Sequence, residues 1–183
     1  MKVKDIVLSA AQTLGIQEGV AAYFEEGLET FKREGELLLA CFNTVECGLA
    51  LEYLPLYAED ELLTPTKRLE FSSLTYAPVR ILNVADQNGN SIAYTLYPKY
   101  LNAQVGRLKV TYTYTPDKKD IDGESDFSLL VADNLFINGV LAEYCMSEGR
   151  FEEGGVWDKK YKEAVESVIR IRSCKRLSSR RWV

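Results

Sequence analysis

Apolar positions at helical spacing open the chain. Val3, Ile6, Val7, Ala10, Ala11 and Leu14 recur every three or four residues, and Gly15 follows in the place of a C-terminal cap, which predicts a helix over residues 3–14. Gln17-Glu18-Gly19 leads into a shorter helical or turn segment from Val20 to Glu26, closed by Gly27. A broader stripe of Phe31, Leu38, Leu39, Phe42, Val45, Leu49 and Leu54 then spans Leu28 to Tyr53. Gly35 and Gly48 weaken it and Pro55 stops it, so it predicts one core helix or a kinked pair.

Beyond Leu56 the period changes. Arg68–Phe71, Val79–Val84, Ile92–Tyr97 and Arg107–Tyr114 are rich in β-branched and aromatic residues, several in alternation, and predict four to six strands. Asn88-Gly89 lies between two of them and supplies the positive φ of a tight turn, which predicts an antiparallel hairpin of 79–85 with 91–97. The stretch 117–126 has too few apolar residues to pack and reads as an exposed connection ending at a helix N-terminus capped by Asp126 or Ser128.

Two more amphipathic segments follow. Leu130, Val131, Phe136, Ile137, Val140, Leu141, Tyr144 and Cys145 form the inner face of a helix over 128–147 that ends at Ser147-Glu148-Gly149-Arg150. Trp157, Tyr161, Ala164, Val165, Val168 and Ile169 form the face of the last helix, which must lie antiparallel to its neighbour across so short a link. Helices, then strands, then helices define an α+β class: a mainly α-helical bundle with an inserted small antiparallel β unit. The reading is a single domain with a helical core at 1–55 and 128–172, a β insertion at 56–116 and a C-terminal arm at 173–183.

Composition narrows the function. The chain has 183 residues, 46% hydrophobic and 27% charged, with the balance of an ordinary globular domain. No apolar run approaches the roughly 18 residues of a membrane span, and the amphipathic start is unlike a signal peptide, so no membrane partner and synthesis inside the cell are expected. Cys41, Cys47, Cys145 and Cys174 form no C-x-x-C pair and read as reduced thiols. With no histidine, Ser-His and Cys-His nucleophile pairs are excluded, and the usual zinc sites would have to be built from widely spaced thiolates or carboxylates alone.

Catalytic and cofactor candidates are poor. Glu25, Glu26 and Glu29, like Glu152, Glu153, Asp158, Lys159 and Lys160, fit solvated helix faces better than acid-base machinery. Gly154-Gly155 has no preceding strand and no phosphate-loop context. Asp120, Asp122, Gly123, Glu124 and Asp126 invite a calcium loop, but the glycine at the sixth position and the acid at the twelfth are missing. The expectation is a non-enzymatic protein with no metal or cofactor.

Charge gives a stronger signal. From Arg170 to Val183 the chain carries six Lys or Arg and no acid, while the total is −5, so the rest carries −11. Cations gathered in one terminal segment suit a meeting with something acidic outside the fold. Arg172, Lys175, Arg176, Arg180, Arg181, Trp182 and Val183 are the partner-binding candidates. Three uses are open: docking into an acidic groove of a protein with Trp182 as anchor, contact with nucleic-acid phosphates, or a solvated terminus. The acidic body opposes DNA, which ranks the protein partner first. Tyr94, Tyr97, Tyr100, Tyr112 and Tyr114 suggest a base-stacking platform, yet only Lys99, Arg107 and Lys109 accompany them, so cross-strand pairs or a protein interface fit better.

The element order, Tyr53-Leu54-Pro55-Leu56, Val110–Pro116, the phrase Leu141-Ala142-Glu143-Tyr144 through Gly154, and Trp157, Tyr161 and Ala164 together resemble the head-tail connector proteins of tailed bacteriophages, also called portal adaptor or head completion proteins. The match is best over 128–169. The resemblance implies a virion neck protein, made in the bacterial cytoplasm, whose copies form a ring under the portal protein. It further implies that the arm from about Arg172 to Val183 reaches the portal. The β region 56–115 would then face neighbouring copies or a neck or tail protein, and acidic walls would let DNA pass without sequence-specific binding.

Overall fold

The computed structural model describes residues 1–127 and 131–173, with side chains of the last helix through Ile171. The chain is α+β, with five α-helices and two three-stranded antiparallel sheets among the described residues. Its contacts group into two compact units, residues 1–46 with the chain from 118 onward, and residues 47–117. The boundary expected at 55/56 thus falls at Glu46/Cys47, inside a helix.

In the helical unit, α1 (Val3–Thr13) buries the predicted stripe of Val3, Ile6, Val7, Ala10 and Ala11. α2 (Gln17–Glu26) ends at Gly27, and a 3-10 turn at Glu29–Phe31 leads into α3 (Lys32–Gly48). The predicted long helix is therefore broken at its start. At its end it passes into a π-helical turn at Leu49–Tyr53 before Pro55.

α4 (Asp133–Ser147) is the central helix. It buries Leu135, Phe136, Gly139, Val140, Leu141, Ala142, Tyr144 and Cys145, residues that go right round its axis, as a helix enclosed by others requires. It packs on α1 and on α5 (Phe151–Ser173). Against α3, Phe42 stacks on Phe136 with ring centroids 5.4 Å apart, and Arg33 pairs with Glu148 at 2.6 Å. Gly139 lies where three helices converge: a Cβ there would stand 2.7 Å from Val45 Cγ1 and 3.1 Å from the Tyr161 ring. Only glycine fits that crossing. The turn between α4 and α5 pivots on Gly149 at φ +75°, and the two helices run antiparallel as expected.

The segment 118–127 departs from expectation in two ways. Lys118, Asp120, Asp122 and Glu124 are exposed as predicted, but the segment is also a strap on the helical unit, with Ser125 and Phe127 buried. Gly123 O accepts from Val3 N at 3.0 Å, and Ser125 N donates to Met1 O at 3.2 Å. Among the described residues, Asp126 caps no helix. Its carboxylate accepts from Lys119 Nζ at 2.7 Å, while α4 begins later, at Asp133, with Ala132 in the cap position. The cause is Phe127, whose ring lies 6.2 Å from that of Phe136 and draws the chain into the core first. The other proposed cap, Ser128, lies outside the described residues.

The β unit holds β1 (Leu56–Thr64), β2 (Arg68–Glu70), β3 (Pro78–Asp86), β4 (Thr95–Leu96), β5 (Tyr100–Asn102) and β6 (Gly106–Tyr114). One sheet has the order β1-β6-β3 and the other β2-β5-β4. They share a core: Leu69 and Leu101 of the short sheet cluster with Ile81, Val84, Leu108, Val110 and Tyr112 of the long one.

The predicted hairpin forms only at its tip. Asp86 N donates to Asn90 O at 2.9 Å, Gly89 takes φ +84°, and Asp86 Oδ1 accepts from Asn88 N and Asn90 N. After the single bridge Ala85↔Ser91 and the bond from Ile92 N to Val84 O, the chain leaves for the second sheet, where Leu96 pairs with Leu101. β3 instead pairs with β6, with register shifts that leave Val79 and Leu82 without partners. Such bulges bend an edge and spoil it for a further strand.

Candidate interaction surfaces

α5 is the element that precedes the basic C-terminal stretch. Toward α4 it turns Gly154 and Val165, fully enclosed, with Trp157, Tyr161, Ala164 and Val168 half-buried, as predicted. Ile169 departs from the expected inner face and is 37% exposed, and Ile171 is 77% exposed. The outer face carries local ion pairs, Arg150 with Glu153 and Lys162 with Asp158, and Lys160 Nζ sits 3.9 Å over the Trp157 ring. Arg172 belongs to the last turn of α5; its side chain, and Lys175, Arg176, Arg180, Arg181, Trp182 and Val183, lie outside the described residues.

Division into units sharpens the charge pattern. Residues 1–46 and 118–169 hold 20 acids against 10 bases, whereas 47–117 hold seven against six. The negative charge of the body is therefore concentrated in residues 1–46 and 118–169, which the basic stretch 170–183 follows in sequence. Of the acids singled out earlier, Glu25 pairs with Lys4 at 2.8 Å and Glu29 with Lys32 at 3.2 Å, which are ordinary surface pairs. Among the described residues, no three His, Cys, Asp or Glu are grouped to hold a metal ion.

The β unit presents exposed apolar surface. A groove of about 210 Å³ is lined by Leu51, Pro55, Tyr57, Val79, Leu82 and Tyr114. Tyr57 is 66% exposed and Val79 52%; Val79 and Leu82 protrude because they are the two bulge residues of β3. The tyrosines do not form one platform. Tyr112 is core, Tyr114 stacks on Tyr76 at 4.1 Å, and Tyr97 stacks on Tyr100 at 4.6 Å beneath the Arg68 guanidinium. Aromatic pairing within a small sheet accounts for most of them.

Two polar sites were not foreseen, one half-buried and one buried. Asp60 accepts from Thr75 N at 2.7 Å, Thr75 Oγ1 at 2.8 Å and Tyr112 Oη at 2.7 Å, and Tyr112 Oη accepts from Tyr76 N at 3.1 Å. Partial burial works against ionisation of Asp60, but these donors prevail and hold its carboxyl below the usual range. Burial, with Asp60 adding, pushes the Tyr112 phenol up to about 12. The signal for this site was a lone acid at an inward position of the alternating strand Leu56, Ala58, Asp60, Leu62. The second site is Glu46, which falls in phase with Phe42 and Val45 on the apolar stripe of α3 and is 1% exposed. Nearby chemistry is quiet: burial pushes the Cys41 thiol up to about 12, so its thiolate is scarce at neutral pH.

No protein-family model matches this sequence, and no curated protein matches it. Among the described residues, no helix is long and apolar enough to cross a membrane.

Proposed function

We propose that this chain is a non-enzymatic head-tail connector of a phage or prophage, which docks on the portal protein through its C-terminal arm and assembles as a ring in the virion neck. The observation that carries this reading is the separation of charge: after an acidic helical unit, the end of α5 and the sequence that follows it hold six cations and no acid. A folded domain gains little from that separation, whereas an adaptor with an anionic socket on its partner uses it directly. The exposed aromatic and aliphatic side chains of the β unit, Tyr57, Val79 and Leu82, provide surface for neighbouring copies or the next neck protein.

The test is co-purification of this chain with a candidate portal protein, wild type against Arg176→Glu/Arg180→Glu/Arg181→Glu. The expected result is a complex for the wild type and its loss in the variant, with unchanged thermal stability. Equal binding by both removes the arm from the interface. If the wild type instead binds random duplex DNA with an affinity that falls steeply with salt, and ignores the portal, the arm reads phosphates and the protein is a nucleic-acid binder.

A further inference from the structure

Glu46 joins the three parts of the strap region. Its Oε1 accepts from Ser125 Oγ at 2.6 Å and from Asp126 N at 3.0 Å, and Ser125 Oγ in turn accepts from Phe127 N at 3.1 Å. The strap it holds also carries the chain start, through Val3 N to Gly123 O, Ser125 N to Met1 O and the bridge Lys2↔Glu124. Glu46 Oε2 is fully buried and has no hydrogen-bond partner among the described residues.

A carboxylate with one oxygen sealed away from any donor is a costly anion. The neutral acid fits this geometry, because both donors converge on Oε1 and leave Oε2 to carry the proton. The charged groups that act on Glu46 both sit on the strap: Lys119 favours its ionised form and Asp126 opposes it, and they are paired with each other at 2.7 Å. Burial is the largest influence and outweighs the two hydrogen bonds and Lys119, so the pKa stands above the ordinary carboxyl value.

We propose that Glu46 is a proton-dependent latch: as the neutral acid it clamps residues 118–127 and the chain start onto the helical unit, and on ionisation it releases them. The inference is independent of the connector reading. Its sign follows from the raised pKa. Below the ordinary carboxyl value the closed strap has its full stability, and as pH climbs from there toward the folded value, the open state gains by losing the proton first.

The test is hydrogen exchange of the full chain, read by mass spectrometry from pH 5 to 9 and corrected for intrinsic rates. Peptides covering residues 1–8 and 118–127 are compared with peptides from α4. The latch predicts that strap protection falls about tenfold or more with rising pH while α4 changes little, and that Glu46→Gln, which keeps an acceptor for Ser125 and Asp126 but cannot ionise, flattens the profile. A flat wild-type profile, or the same decline in Glu46→Gln, overturns the proposal. Should the variant not fold, ¹³C NMR of the wild type labelled at its glutamate carboxyls decides. One glutamate titrating well above the rest supports the latch, and all titrating together in the ordinary range overturns it.

Discussion

Asn43 grips Lys119 in both directions: Asn43 Oδ1 accepts from the Lys119 backbone N–H at 2.6 Å, and Asn43 Nδ2 donates to the Lys119 carbonyl at 3.1 Å. One side chain thereby satisfies both main-chain groups of a residue 76 positions away and fixes where the strap begins. Asn43 Nδ2 also reaches Leu39 O at 3.0 Å, so the amide is anchored to its own helix.

Asn43→Ala removes that grip. The expected cost is about 1–3 kcal/mol, because two main-chain groups of a half-buried residue lose their partner. Limited trypsin digestion checks it: cleavage after Lys118 and Lys119 is expected to accelerate relative to cleavage elsewhere, before the melting temperature falls by more than a few degrees.

Gly139→Ala tests the helix crossing. Alanine gains up to ~1 kcal/mol in helix propensity, yet its methyl would sit 2.7 Å from Val45 and 3.1 Å from Tyr161. Overpacking of this kind costs about 1–3 kcal/mol, so the variant is expected to be destabilised by chemical denaturation, and Gly139→Ala combined with Val45→Ala to recover part of the loss.

In the β unit, Tyr112→Phe deletes one oxygen, which leaves the Tyr76 N–H without its acceptor and takes one of three donors from the Asp60 carboxylate. A loss of about 1–3 kcal/mol is expected, with the ring still filling its place in the core. Urea denaturation followed by tyrosine fluorescence measures it.

Asp60 also sets an acid limit. Its folded pKa is depressed, so its contribution is complete above the unfolded carboxyl value and is lost as pH falls through the lower folded value. The stability gap between wild type and Asp60→Asn is therefore expected to be constant near neutrality and to shrink below about pH 4. Denaturant midpoints from pH 7 to 2.5 provide the comparison.

The helices of this chain were legible because their signals are local. The stripe from Val3 to Ala11, and Gly15, Gly27 and Gly149 at helix ends, lie within a few residues of what they determine. The strap was illegible for the opposite reason. Residues 117–126 hold little apolar surface of their own, and what seats them is Asn43, Glu46 and the chain start, all more than 70 positions away. The Asn-Gly turn was read correctly as a turn, but its flanks were claimed by β6 on one side and β5 on the other. Sequence spacing carries no information on such competition. The basic stretch 173–183 is known from its charge alone, which leads to the expectation of a partner and says nothing of a conformation.

The central position of α4 has a consequence for synthesis. α1, α2 and α3 leave the ribosome with their inner faces uncovered, and the helix that covers them begins only at Asp133. The whole β unit, contiguous from 47 to 117, is translated in between. At ~5–20 residues per second, the nascent chain spends several seconds with an apolar surface awaiting closure while the later-made sheets already have all their strands. The sheets therefore have their full complement of strands before the helical unit has its central helix, although α1, α2 and α3 are made ahead of them.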